Sequence, residues 1–197
     1  MLDNLINCTK CKRININFQR LRKLHPHYHN RPVSGRGNID AALCILGLAP
    51  GLHGANKSGN TFTEDFCSKI LHKSLVKNNL YHENSSEKFY ITNALKCLPP
   101  DNKPLPSELN MCLNYLEKEI IRMPKLKNIL VFGKIAHESL IKIFKKKIKD
   151  YPFKHGKEYH IDNIKIIDSY HCSQINIFTK RLTIPMLDNI IKKSLLI

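Results

Sequence analysis

Apolar residues along the chain gather into four short runs separated by longer, mostly polar stretches. Each run is rich in Ile, Leu, Val or aromatic residues and is bounded by polar residues or glycine, which is typical of strands that are buried on both faces. Turn-forming residues follow at their ends. We therefore predict strands at residues 41–47, 88–93, 128–133 and 164–168.

The segments between these runs carry apolar residues at a spacing of three or four, the repeat of an amphipathic helix. One helix is predicted after Asp65, one after the start signal Pro106-Ser107, one after Lys134 and one near the C-terminus. The clearest apolar stripes are Phe66, Ile70, Leu71 and Leu75; Leu109, Cys112, Leu113, Leu116 and Ile120; and Met186, Leu187, Ile190 and Ile191.

Alternating strands and helices predict an α/β fold with a parallel sheet and right-handed crossovers. In such sheets, binding sites form from the loops at the carboxyl ends of the strands. Three loops with unusual composition follow predicted strands, at residues 47–64, 93–106 and 169–182. We therefore expect these loops to form one site.

Composition narrows the class of protein. The 197 residues suit one domain (1–197), and 42% hydrophobic residues are enough to form a core. No apolar run approaches the roughly 20 residues of a membrane span, and the N-terminus lacks the apolar region of a signal peptide. A cytoplasmic protein is expected.

The chain is strongly basic, with 32 Lys and Arg against 16 Asp and Glu, a net charge of +16. Such an excess favours a polyanionic partner, chiefly nucleic acid. A genome rich in A and T also enriches Lys, Asn and Ile irrespective of function, and this chain is rich in all three. Charge alone therefore favours nucleic acid without establishing it.

Seven cysteines are an odd number for a disulfide framework, and metal or cluster ligands are the better interpretation in a reducing compartment. Cys8 and Cys11 form a C-x2-C pair, and Cys97 and Cys112 follow singly. Four thiolates can bind Zn²⁺ or a 4Fe-4S cluster. The uneven spacing modestly favours a cluster, while Cys112 also fits the apolar stripe of its helix as a core residue. Separately, Cys44 and Cys67 resemble buried small apolar residues, and Cys172 lies in a polar loop.

Two loops carry the candidate chemistry. GLAPGLHGANKSGNTFTED, residues 47–65, joins a glycine-rich segment to Phe62 and Asp65. SYHCSQINIFTKRLT, residues 169–183, contains His171, which can donate a hydrogen bond to developing negative charge. Each residue also has a structural explanation, since an Asp after a Thr63 cap is favoured by the helix dipole and Phe62 fits a core. Their coincidence at strand ends favours a site.

Three stretches together resemble the family 5 uracil-DNA glycosylases: the 47–65 loop, ITNALKCLPPDNKP (residues 91–104) and SYHCSQINIFTKRLT. The related family 4 enzymes share part of this pattern. The resemblance implies a three-layer α/β sandwich, in which helices flank a four-stranded parallel sheet. It also implies a structural 4Fe-4S cluster on Cys8, Cys11, Cys97 and Cys112.

The same resemblance implies roles for individual residues. Phe62 would stack on an extruded base and Asn93 would read its Watson–Crick edge, while backbone amides of Gly51 and Leu52 would line the pocket. His171 would bind the uracil O2 as the leaving group gains charge. The remaining site residues are the catalytic carboxylate Asp65, Asn176 in the DNA-facing loop, His155 on the substrate side, and Lys180 and Arg181 as phosphate anchors.

The implied activity is hydrolytic removal of uracil from DNA, and of hypoxanthine or other damaged bases if the substrate range is broad. The partner is double-stranded DNA, with single-stranded DNA left open, and the protein is expected to be a monomer. Two departures from the family pattern are Glu64, where the family has Gly, and Gln174-Ile175 in place of a basic residue. They keep open an alternative, a catalytically silent 4Fe-4S module that binds DNA.

Overall fold

A computed structural model describes residues 4–81 and 87–195 of the chain. Within them, six strands form one sheet in the order β1-β3-β2-β4-β6-β5. The four inner strands are mutually parallel, and the two edge strands are antiparallel to their neighbours. The strands are β1 (Arg36–Gly37), β2 (Leu43–Gly47), β3 (Tyr90–Asn93), β4 (Asn128–Phe132), β5 (Glu158–Ile161) and β6 (Ile164–Ser169).

Seven α-helices and two short 3-10 helices connect the strands in the described part of the chain. Three of the helices begin at recognisable start signals: Asp65 and Thr183 cap helices through their side chains, and Pro106 opens another. The α-helices are α1 (Lys12–Leu24), α2 (Ala55–Ser58), α3 (Phe66–Lys77), α4 (Pro106–Ile121), α5 (Lys134–Ile143), α6 (Gln174–Phe178) and α7 (Ile184–Lys193); the 3-10 helices are Pro100–Asn102 and Ile148–Asp150.

Hydrophobic side chains fill both faces of the sheet. Leu43 and Ile45 point to the face that α3 and α7 cover, whereas Cys44 and Leu46 point to the face that α4 and α5 cover. Successive residues of one strand thus pack into opposite layers, as the pleat requires. The result is a three-layer α/β sandwich, which confirms the predicted fold class.

A third apolar cluster lies beside this sandwich, where α1 packs against the segment after β3 and the start of α4. Ile14, Phe18 and Leu21 project from α1 at helical spacing and are buried there. The cluster also contains the four cysteines of the predicted ligand set. The N-terminal segment is therefore attached to the fold through this cluster.

All four predicted strands are confirmed as the parallel centre of the sheet, but the predicted total of four was too low. β1 spans only two residues, and β5 begins with a charged residue and is buried only at its last residue, so neither forms an apolar run. Both are edge strands, where half of the surface faces solvent. No helix in the described ranges is both long and apolar enough to cross a membrane.

Candidate active site

A cavity of about 520 Å³ opens at the carboxyl ends of the parallel strands. Its size is that of a small-molecule site. All four inner strands contribute to its wall, either by their last residues or by the loops that follow them. The lining residues are Leu48, Ala49, Pro50, Gly51, Ala55, Phe62, Asp65, Cys67, Asn93, Asn102, Phe132, Gly133, Lys134, Ile135, Ala136, His171 and Ser173.

Five of the residues named from the sequence meet in this cavity: Gly51, Phe62, Asp65, Asn93 and His171. They come from three loops that are far apart along the chain. The expectation that these loops lie together at one edge of the sheet therefore agrees with the geometry.

The floor of the cavity forms where Phe62 and Asn93 closely approach Gly47. Gly47 and Asn93 are partners in the β2–β3 register. A Cβ at residue 47 would lie 2.5 Å from Asn93 Oδ1 and 2.6 Å from Phe62 Cζ, so a larger residue there would collide with both. Phe62 also has a φ of 54°, a left-handed conformation that bulky residues seldom adopt outside functional sites.

Asp65 acts as the N-cap of α3 with one carboxylate oxygen and faces glycines with the other. Its Oδ1 accepts a hydrogen bond from the Ser68 amide at 2.7 Å. A Cβ on Gly54 would lie 2.5 Å from Oδ2, and one on Gly51 would lie 3.3 Å from it. The missing side chains thus make room for the carboxylate at the cavity wall. Asp65 itself, rather than Thr63, caps the helix.

Glu64 turns away from the cavity. Its carboxylate is about half exposed and forms an ion pair with Lys57 Nζ at 2.5 Å. With a φ of 64°, Glu64 adopts the left-handed conformation that glycine tolerates best. The departure from the family pattern at this position therefore introduces backbone strain and an outward charge, and leaves the cavity lining unchanged.

His171 is the second residue after β6 and forms part of the cavity wall. Burial lowers the pKa of its imidazole, and the negative charge of Asp65 opposes this shift only in part. The ring is therefore neutral at physiological pH. Its Nε2 lies 3.7 Å from Cys67 Sγ, and its edge approaches the Phe132 ring with centroids 6.4 Å apart.

Asn176 and Leu52 lie outside the cavity but support it. The Asn176 side-chain amide donates to the main-chain carbonyl of His171 at 2.8 Å, which fixes the start of the loop. Leu52 packs against the cysteine cluster beneath the glycine-rich loop.

His155, Lys180 and Arg181 are also outside the cavity. The His155 ring stacks on Tyr170, with centroids 4.9 Å apart, and its Nδ1 accepts from the Tyr170 amide at 3.2 Å. The Arg181 guanidinium lies over the Tyr170 ring at 4.6 Å, a cation–π contact. Lys180 and Arg181 are exposed next to the His171 loop.

The end of β4 and the segment after it also line the cavity, which was not predicted from the sequence. Phe132, Gly133 and Lys134 line the cavity, and Gly133 has a φ of 93° at the start of α5. The sequence did carry a signal for this contribution. β4 is one of the predicted parallel strands, so its carboxyl end must lie at the same edge of the sheet as the ends of the other three. The polar Asn102 in the loop after β3 was missed as well.

A disulfide joins Cys67 in α3 to Cys172 in the loop after β6. Both residues are buried, as expected of Cys67, but their pairing was not predicted. The bond connects the two segments that carry Asp65 and His171.

Cys8, Cys11, Cys97 and Cys112 lie together in the apolar cluster around α1. Burial, and after it the negative charge of Cys112, raises the pKa of the Cys11 thiol to about 11. The backbone amide of Lys96 donates to Cys112 Sγ at 3.3 Å. The Cys97 thiol also has a raised pKa, mainly through burial and then through Cys112, Cys8 and Cys11, so the sulfurs are within electrostatic reach of one another.

No group of three or more Cys, His, Asp or Glu within residues 4–81 and 87–195 is arranged to hold a metal ion. A tetrahedral zinc site draws its sulfurs to about 2.3 Å from one ion and so packs them tightly. The four thiols share one apolar cluster, and four thiolates are also the ligand set of a 4Fe-4S cluster.

A buried ion pair connects the cysteine cluster to the cavity. Lys96 Nζ contacts Glu119 Oε2 at 2.5 Å, and both side chains are almost completely excluded from solvent. The same ammonium donates to the main-chain carbonyl of Asn93 at 2.8 Å and to Thr92 Oγ1 at 2.6 Å. Glu119 also accepts from the Gly35 amide. Through these buried hydrogen bonds, Lys96 fixes the end of β3.

Comparison with known proteins agrees with this geometry. The model of the uracil DNA glycosylase superfamily matches residues 34–193, most of the chain. The chain belongs to the uracil-DNA glycosylase superfamily. The match spans the strand ends that form the cavity, and it ends at the last residue of α7.

Individual relatives show which enzymes of the superfamily the chain is similar to. The chain is 36% identical to the type-5 uracil-DNA glycosylase of Thermus thermophilus over 168 residues, which cover 81% of this chain and 77% of the relative. It is 29% identical to the type-5 enzyme of Pyrobaculum aerophilum over 98% of this chain and 90% of the relative. A type-4 uracil-DNA glycosylase of Archaeoglobus fulgidus is 29% identical over 85% of this chain and 77% of the relative. The resemblance to family 5 is confirmed.

Proposed function

We propose that this protein is a DNA glycosylase of base excision repair, which extrudes uracil from DNA and hydrolyses its N-glycosidic bond to leave an abasic site. The observation that carries the proposal is the cavity in which Phe62 and Asn93 meet Asp65 and His171. The names of the relatives, type-5 and type-4 uracil-DNA glycosylases, support the same reaction.

The cavity binds the base after it leaves the helix. Extrusion costs a few kcal/mol of unstacking and unpairing. Stacking on an aromatic ring such as Phe62 returns about 1–3 kcal/mol. The Asn93 amide offers both a donor and an acceptor to the Watson–Crick edge, and Gly51 allows the backbone to approach the ring.

Bond cleavage develops positive charge on the sugar and negative charge on the departing base. The Asp65 carboxylate stabilises the sugar cation and orients the attacking water, which adds to the sugar carbon and gives its proton to that carboxylate. His171, neutral because burial lowers its pKa, donates a hydrogen bond to the uracil O2 as the base leaves. Asp65 and His171 thus act on opposite charges of one transition state.

The basic surface holds the DNA backbone. Lys180 and Arg181 are exposed beside the His171 loop, and Arg181 is oriented by its contact with Tyr170. The net charge of +16 favours binding that weakens steeply with salt. Asn176 contributes by fixing the His171 loop, and His155 contributes by supporting Tyr170, rather than by touching the base. Leu52 has a similar supporting role beneath the pocket.

The chain would hold a 4Fe-4S cluster on Cys8, Cys11, Cys97 and Cys112. When bound, such a cluster cross-links the N-terminal pair to the 97–112 segment, a structural contribution. Leu48, Ala49 and Leu52 of the glycine-rich loop pack on the same apolar cluster, so this support extends to the pocket wall. The proposed protein is a monomer, it acts in the cytoplasm, and its substrate is double-stranded DNA.

The proposal is tested with labelled duplex oligonucleotides that carry one U·G, U·A or hypoxanthine·T pair. Alkali cleaves the strand where an abasic site has formed, so one gel ranks the substrates. We expect cleavage at uracil by catalytic amounts of protein. Salt-sensitive binding of the duplexes without any abasic site would instead establish the alternative, a silent DNA-binding module.

A further inference from the structure

The Cys67–Cys172 pair lies between the two residues assigned to catalysis. Cys67 is two positions after Asp65, and Cys172 directly follows His171. Their Cα atoms are 5.2 Å apart, within the range of an ordinary disulfide. Cys67 lines the cavity, whereas Cys172 has no exposed surface. The bond therefore borders the cavity on the side of Cys67.

Each sulfur also has a partner for its reduced state. Cys172 Sγ lies 3.6 Å from the carbonyl oxygen of Cys67, an acceptor for its S–H. Cys67 Sγ lies 3.7 Å from His171 Nε2. The site therefore offers each thiol an acceptor, so a buried thiol pair is accommodated as well as a disulfide.

The two states act differently on His171. A Cys67 thiol donates to Nε2, which then must be the unprotonated nitrogen of the neutral ring. A disulfide sulfur has no hydrogen to donate, so Nε2 is free to carry the proton and to donate into the cavity. The bond also fixes the His171 loop to α3, which favours a preorganised donor.

We propose that Cys67 and Cys172 form a redox site in which disulfide formation sets the tautomer of His171 and raises the rate of base excision. The effect on rate rests on the proposed function; the effect on the His171 ring does not. The pair differs from the four cluster cysteines because Cys67 lines the cavity and neither residue belongs to the apolar cluster around α1.

The oxidant is a low-molecular-weight disulfide such as oxidised glutathione, which reaches Cys67 through the cavity. The Cys67 thiolate attacks one sulfur and releases one glutathione thiol, and a mixed disulfide forms. Cys172 loses its proton and displaces the second glutathione. The protein loses two electrons and two protons, which the two glutathione thiols carry away. A dithiol reductant reverses the reaction.

The test compares cluster-loaded protein equilibrated under argon with reduced or oxidised glutathione. Non-reducing proteolysis and mass spectrometry detect the cross-linked peptides, and ¹⁵N NMR reports the ring nitrogens of His171, assigned with His171→Gln. Single-turnover excision is measured on the same samples. We expect the cross-link only after oxidation, a shift of proton occupancy toward Nε2, and a rate about tenfold higher.

Cys172→Ala and Cys67→Ser remove the cross-link and the redox response, and Cys44→Ala, which alters a buried cysteine elsewhere, keeps both. Two variants are used because either substitution alone can disturb the site. A cross-link without any change at the His171 nitrogens, or no cross-link at any glutathione ratio, overturns the inference. A cross-link with the expected change at His171 but no excision in either state supports the redox site and refutes the proposed glycosylase function instead.

Discussion

Gly47 and Asn93 are partners across β2 and β3, and the space that a Cβ of residue 47 would need is occupied by Asn93 Oδ1, 2.5 Å away. Phe62 Cζ borders the same space at 2.6 Å. The absence of one methyl group therefore allows an aromatic ring and an amide to meet at the base of the cavity.

Gly47→Ala tests this relationship. The added methyl must displace either Asn93 or Phe62, and overpacking of this kind costs typically 1–3 kcal/mol of folding free energy. We expect excision of uracil to fall by about 10²-fold, since small misplacements of positioning groups have effects of that size. Single-turnover kinetics and thermal melting measure both. An active Gly47→Ala enzyme would contradict the role of the close approach.

The pH dependence follows from the lowered pKa of His171. The neutral ring is the hydrogen-bond donor. Because the pKa of His171 is lowered, the ring stays neutral at pH values below the ordinary histidine pKa of about 6.5. We expect excision to be constant from pH 8 to about 6.5 and to decline only at lower pH. The unfolded chain binds this proton more readily than the folded one, so stability also declines as the pH falls below about 6.5.

A pH–rate profile under single-turnover conditions measures where the excision rate begins to decline. His171→Gln retains an amide donor that does not titrate, so the part of the acid decline that is due to His171 disappears in its residual activity. An acid limb centred above pH 6.5 in the unmodified protein would show that the ring titrates as a solvent-exposed imidazole.

The buried pair of Lys96 and Glu119 predicts an asymmetric response to mutation. Lys96→Met leaves the Glu119 carboxylate buried without its cation, which typically costs 3–5 kcal/mol. Adding Glu119→Gln removes the charge but keeps an acceptor for the Gly35 amide, so most of that stability returns. Urea denaturation measures the changes, with the exposed Lys125→Met as the control. Equal stability of the single and double variants would exclude the ion pair as the cause.

Cysteine substitutions test the proposed cluster. Cys97→Ala removes one of four thiolate ligands, so we expect loss of bound iron and of visible absorbance, together with a lower melting temperature. Cys44→Ala also removes a buried thiol, but Cys44 lies in the layer under α4 and α5, so iron is retained. Iron analysis of anaerobically purified protein decides the point. A zinc-containing wild type would rule out the cluster.

The centre of the fold was predictable because each parallel strand is buried on both faces and so forms an apolar run. Edge strands lack that signal. In β5, Glu158 is partly exposed and His160 is exposed, and β1 is too short to show any period. α1 was not predicted from the sequence, although Ile14, Phe18 and Leu21 are at helical spacing and are buried.

The site was predictable where a residue follows a strand. Phe62, Asp65, Asn93 and His171 were all named from the sequence and line one cavity. Contacts between distant segments were not predictable: Cys67 and Cys172 are 105 positions apart, and only the parallel order of the strands brings them together. The supporting, rather than lining, positions of Asn176 and His155 likewise depend on how the loops fold back.

The most direct measurement of the central claim is the single-turnover excision of uracil by Asp65→Asn. Asn is as good an N-cap as Asp, so the variant retains the start of α3 and an unchanged melting temperature. The account predicts normal binding of uracil-containing duplex with a rate reduced by at least about 10²-fold, because the carboxylate charge at the sugar is lost. A folded Asp65→Asn protein that excises uracil at the wild-type rate would contradict it.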